Sequence, residues 1–116
     1  MVRLSVALVA SARSAPRLLQ ALQSLLIAQR LKPGCIGCSA WSERDHTVHY
    51  EEHWATEAAM EDRVRSDEFT LLLAVVEASE APPRVEFDFV TKTRGLDYVA
   101  EIRRASVSAD WTDDAG

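Results

Sequence analysis

The sequence predicts an α+β fold of the ferredoxin-like, split βαβ kind, ordered βαββαβ, with one antiparallel sheet carrying its helices on one face. Short stretches near the start, middle and end alternate apolar and polar residues at period two, as strands do. Longer stretches between them repeat their apolar residues at helical spacing. A chain of 116 residues, 47% of them hydrophobic, is the size of one domain with a core of its own.

Leu4, Val6 and Leu8 alternate with Ala7 and Val9, so Arg3 to Ala10 is expected to form a first strand buried on both sides. Ser14 and Pro16 suit a helix start, and Leu18, Leu19, Leu22, Leu25 and Leu26 give that helix an apolar face until Pro33-Gly34 stops it. Cys35 to Ser42 and Thr47 to Trp54, joined by the polar Glu43-Arg44-Asp45-His46, read as a hairpin. Thr56 is placed to cap a short helix ending near Arg65, and Ser66-Asp67-Glu68 to cap another whose apolar face is Phe69, Leu72, Leu73 and Val76. Ala81-Pro82-Pro83 ends it, and Val85, Phe87 and Phe89 alternate in a last strand from Arg84 to Thr91. Gly95 to Ala105 suits either a further helical turn or a strand lent to a partner, and Ser106 to Gly116 a flexible tail. The organisation is thus a domain over residues 1–93 and a C-terminal extension over 94–116. With helices on one face only, the other face of the sheet needs a cover, which a homodimer packed sheet to sheet would supply.

Eighteen acidic against 13 basic residues give a net charge of -5, which disfavours a nucleic-acid-binding face. The longest apolar run, Leu71 to Val76, is far short of the roughly 18–20 residues that span a bilayer. Arg3, the apolar Leu4 to Ala10 and Ala10-Ser11-Ala12 imitate a secretory signal, but they fall below its usual length of roughly 15–30 residues and read better as the first strand. Two cysteines do not make the disulfide framework of a small secreted domain, so a cytoplasmic location is expected.

His49-Tyr50-Glu51-Glu52-His53 matches the H-x-x-E-H zinc-peptidase string, yet that chemistry needs a helix and a third ligand. On a strand His49, Glu51 and His53 still share a face, where polar surface or interface residues are the simpler reading, and no metal is expected. Cys35-Ile36-Gly37-Cys38 matches C-x-x-C, but residues three apart on a strand point to opposite faces, so two buried structural cysteines are expected. More informative is the alternate face of the third strand, Val48, Tyr50, Glu52 and Trp54, which sets one carboxylate among rings. Such a carboxylate must be hydrogen-bonded, reach a cavity that a flat aromatic ligand could fill, reach solvent, or pair with an arginine at a dimer seam.

The run Pro33-Gly34-Cys35, followed by Glu52-His53-Trp54 and by Ser66-Asp67-Glu68-Phe69 at the same separations, resembles the antibiotic biosynthesis monooxygenase (ABM) family over about residues 3 to 93. The resemblance implies a dimeric α/β barrel of two ferredoxin-like protomers, and cofactor-free oxygenation of a quinol- or anthrone-like aromatic, with non-catalytic binding of a small hydrophobic ligand as the alternative. It implies Glu52 and His53 as candidates for handling the substrate's proton, and Tyr50, Trp54, Phe69 and Trp41 for packing it. Departures narrow what carries over. The chain has no asparagine, Glu68 stands where many relatives have histidine, and the haem degraders' tryptophan and iron-binding histidine fall on Arg63 and Leu73, so haem degradation is not implied.

Overall fold

The computed structural model describes the backbone of residues 1–115 and the side chains of residues 1–105. The flexible tail expected over residues 106–116 therefore lies outside the residues described with side chains. The elements are β1 (Val2–Leu8), α1 (Ala15–Arg30), β2 (Cys35–Ser42), β3 (Val48–Trp54), α2 (Glu57–Arg65), α3 (Phe69–Val76), β4 (Arg84–Phe89) and α4 (Leu96–Ala115). The four strands form one sheet in the order β2-β3-β1-β4, every neighbouring pair antiparallel. This is the expected α+β, βαββαβ arrangement, its second helix broken into α2 and α3.

The alternation read from the sequence sets which side of the sheet is dry. Val2, Leu4, Val6 and Leu8 are buried under the helices, whereas the intervening Arg3, Ser5 and Ala7 are only partly covered. β1 is thus buried on one side, not two: Ala7 is too small to demand cover, and its neighbours on that side are polar. Leu18, Leu22 and Leu26 of α1 and Phe69, Leu72 and Val76 of α3 press onto this dry face, each fully buried large side chain contributing about 1.5–3 kcal/mol. Leu73, expected in that face, is 44% exposed because it falls on the outer side of the short α3.

Helix ends explain the placement of the site. The Thr56 hydroxyl accepts from the Ala59 amide at 3.1 Å, capping α2 as expected. Ser66 does not cap α3: its hydroxyl donates backward to the Arg63 carbonyl at 2.6 Å, closing α2 instead. Between α1 and β2, Gly34 takes φ of +86°, and a Cβ there would lie 2.8 Å from Ala59 Cβ. Only glycine lets this turn lie flat against α2. Of the two readings open for residues 95–105, the helix is the one observed, as the start of α4. Among the described residues, no helix is long and apolar enough to cross a membrane.

Candidate functional site

β3 carries the site. Its alternation turns Val48, Tyr50, Glu52 and Trp54 under the helices, all buried, and His49, Glu51 and His53 to the open face. Glu52 has 0% exposure, which a carboxylate tolerates only when its oxygens are filled by donors. They are. Oε1 accepts from Trp54 Nε1 at 2.8 Å and Arg63 Nε at 3.0 Å, while Oε2 accepts from the Tyr50 hydroxyl and from Arg63 Nη2 at 2.9 Å. The charged fork of Arg63 thus meets both carboxylate oxygens, the strong bidentate form of this bond.

Arg63 comes from α2, three residues after Met60 and so on the same inward face of the helix. Its guanidinium carbon lies 5.1 Å from the centre of the Phe69 ring, a cation–π contact at the start of α3. Burial opposes the guanidinium's charge, but the hydrogen bonds and the charge of Glu52 outweigh it and hold Arg63 above its ordinary range. Burial, and then the Glu52 carboxylate, push the Tyr50 phenol well above its ordinary value, so this hydroxyl stays protonated and donates. Arg63 Nη1 is buried without a hydrogen-bond partner. A buried donor left unpaired costs about 1–3 kcal/mol.

Arg63 and Trp54 also line a cavity of about 480 Å³ between the α1–β2 turn, the end of β3 and α2. Lys32, Gly34, Ala59 and Asp62 complete much of its wall. The Lys32 ammonium is held by Glu68 at 2.6 Å, and with Gln29 also donating to it, the Glu68 carboxyl sits below its ordinary range, the bond from Lys32 being the main cause. The cavity therefore joins one indole wall, small side chains, the Asp62 carboxylate and two cations that are each paired with a carboxylate, a mixed lining that suits a flat molecule with a polar edge.

The residues singled out from the sequence divide between the two faces. Tyr50, Glu52, Trp54 and Phe69 come together around Arg63. His53 and Trp41 do not join them: His53 pairs with Glu51 at 3.3 Å on the open face, and Trp41 stacks on His49 with ring centroids 5.1 Å apart. That face holds a polar recess of about 240 Å³ among Arg3, Ser5, His49, Glu51 and Asp88. Among the described residues, no group of three or more metal-binding side chains converges, His49, Glu51 and His53 included. Arg63, Lys32 and Asp62 were missed as site residues. The signal for Arg63 was present, since Met60 marks the buried face of α2 and Arg63 follows it by three.

The two cysteines correct a sequence expectation. A bulge between Cys35 and Gly37 brings Cys35 opposite Trp54 and Cys38 opposite Glu52, so both thiols lie on the helix-covered face rather than on opposite faces.

No protein-family model matches the sequence, and no curated protein matches it significantly. Solved structures do match by shape. A protein from Deinococcus radiodurans, described as a candidate antibiotic biosynthesis monooxygenase, aligns with a TM-score of 0.71 at 20% identity, covering 82% of this chain and 97% of that one. A structure named antibiotic biosynthesis monooxygenase aligns at 0.65 and 15% identity over 79% and 100% of the two chains. A protein of unknown function from Nitrosomonas europaea aligns at 0.65 and 20% identity over 81% and 92%. The resemblance read from the sequence thus holds at the level of architecture: the chain has the fold of structures named as ABM proteins.

Proposed function

We propose that the protein is a homodimeric, cofactor-free monooxygenase that oxidises a quinol- or anthrone-like aromatic in the cavity between β3 and α2. The observation that carries this reading is Arg63, buried, charged and with Nη1 unpaired, in the wall of a cavity that also presents the Trp54 ring. A deprotonated hydroquinone or anthrone can pass an electron to O2 unaided, so the protein need only hold the anion and exclude water. For an anthrone, the resulting radical pair recombines to a peroxide whose O–O bond breaks with loss of water. One atom of O2 remains in the quinone and the other leaves as water.

In this reading Trp54 packs the ring, and Arg63 Nη1 and Lys32 hold the anionic oxygen. Glu52 keeps Arg63 charged and placed, its own oxygens being filled, and Tyr50 and Phe69 brace that pair. The substrate's proton passes to Asp62, the carboxylate among the cavity's lining residues. His53 and Trp41 belong to the second protomer's side, on the open face that a sheet-to-sheet dimer would cover. The alternative, non-catalytic binding of the same class of ligand, is favoured by one feature: the deepest carboxylate, Glu52, is occupied by its neighbours.

The test is oxygen consumption by chelator-treated protein over hydroquinones, naphthoquinols and anthrones, with Ala58→Trp to fill the cavity from an exposed lining position. Turnover well above autoxidation that Ala58→Trp abolishes supports the oxygenase. Ligand quenching of tryptophan fluorescence without turnover, also lost in Ala58→Trp, supports the binding protein. Light scattering should give twice the 12.9 kDa chain mass; the single mass at micromolar concentration overturns the dimer.

A further inference from the structure

β2 opens on Cys35-Ile36-Gly37-Cys38, a spacing that on a regular strand would separate the Cα atoms by about 10 Å. The bulge shortens this. Cys35 and Cys38 stand opposite Trp54 and Glu52, which are two residues apart on β3. Their Cα atoms are therefore separated by about the rise of two strand residues, ~6.6 Å, within the span a disulfide accepts. Both side chains pack against the edge of the core and both stay partly accessible.

The surroundings distinguish the two sulfurs. Each thiol donates to a backbone carbonyl, Cys35 Sγ to that of Gly37 and Cys38 Sγ to that of Leu26, both at 3.7 Å. The Arg30 guanidinium, whose Nη2 lies 3.4 Å from the Cys38 carbonyl, adds positive charge on the Cys38 side. Burial nevertheless leaves both thiols above their ordinary value, so the resting form at neutral pH is the dithiol.

We propose that Cys35 and Cys38 form a redox-active dithiol that hydrogen peroxide converts to an intrachain disulfide, Cys38 attacking and Cys35 resolving. The Cys38 thiolate attacks one peroxide oxygen, the O–O bond breaks, and hydroxide leaves a sulfenic acid on Cys38. Cys35 sulfur then attacks Cys38 sulfur, the S–O bond breaks, and water leaves with the Cys35 proton. The two thiols lose two electrons and two protons, and one peroxide becomes two waters. The bond would fasten the bulge directly after Gly34, the residue at the cavity wall whose backbone lies against Ala59 and Trp54. Oxidation thereby stiffens one side of the cavity, whatever reaction the cavity supports.

The experiment treats the full chain with hydrogen peroxide, alkylates it in denaturant and weighs it by mass spectrometry. The expected product has lost two hydrogens, takes up no alkylating agent and carries its crosslink within the Cys35–Cys38 peptide. Cys35→Ser should stop at an oxygenated Cys38, whereas Cys38→Ser should leave Cys35 largely alkylatable, circular dichroism confirming that both variants fold. Two alkylated cysteines in the treated wild type, oxygen added to one while the other is alkylated, or a crosslink between chains would each overturn the proposal.

Discussion

Glu51 and Glu52 are adjacent in sequence and opposite in circumstance. Glu52 lies under the helices with no exposure and accepts from Tyr50, Trp54 and Arg63. Glu51, on the open face, keeps a side chain 29% exposed and meets His53 at 3.3 Å. The same division runs through the sheet. On the covered face one deep ion pair is surrounded by apolar packing, while on the open face partly hydrated pairs such as Arg3–Asp88 at 3.1 Å stand beside small or polar residues. Desolvation explains the difference: an exposed pair gains little because water already serves both ions, whereas a buried pair survives only when hydrogen bonds replace most of the water it loses. The covered face is therefore where one substitution has far-reaching consequences.

The largest expected break is Arg63→Met, which leaves the Glu52 carboxylate buried without its cation and should cost about 3–5 kcal/mol in urea unfolding. Adding Glu52→Gln should recover part of that loss, since the neutral amide removes the buried charge and keeps an oxygen to accept from Tyr50 or Trp54. No recovery would mean that packing, not charge, dominates there. The faces are compared next by neighbours on β1: Leu4→Ala should cost about 2–5 kcal/mol, and Ser5→Ala within about 0.5 kcal/mol. A large effect of Ser5→Ala that depends on protein concentration would show the open face to be a subunit seam.

Alkaline titration sharpens the contrast differently. Tyr50, Cys35 and Cys38 are all raised from reference values of 10.0 and 9.0, burial being the first cause in each. The native chain then keeps protons that the unfolded chain sheds, so stability is fully present below about pH 9 and falls as pH rises beyond it. The urea midpoint should drop between pH 9 and 11, and replacing both cysteines with serine should delay the drop to the tyrosine's range near 10. A flat profile would mean that these groups are as hydrated folded as unfolded. The smallest effect is expected for Asp88→Asn, which breaks a half-exposed pair and should cost about 0–1 kcal/mol, decreasing with added salt.

Periodicity made most of the fold legible in advance. Alternation in β1, β3 and β4, helical spacing in α1, the Thr56 cap and the Pro33-Gly34 stop are local, and local chemistry decides them. Where the reading failed, a non-local partner or a single irregular residue was responsible. Leu73 lost its place because α3 is short, and Ser66 turned back to close α2. The bulge in β2, which shifts a register by one residue, reversed the facing of Cys35 relative to Cys38 and so the reading of the C-x-x-C string.

The candidate site followed the same rule. Sequence alone determined that Tyr50, Glu52 and Trp54 share one face of a strand, because a strand's side chains alternate with period two, and that His53 cannot share it. It also required that a carboxylate among rings be hydrogen-bonded, reach a cavity or solvent, or pair with an arginine, because desolvation of an unpaired charge is prohibitive. Only the tertiary structure decided that the partner is Arg63 from the same chain rather than an arginine across a dimer seam. It also decided that one guanidinium nitrogen is left unpaired and that Arg63 and Trp54 wall a cavity. Those facts depend on the angle and depth at which α2 crosses β3, which packing of the whole core sets and no local pattern encodes.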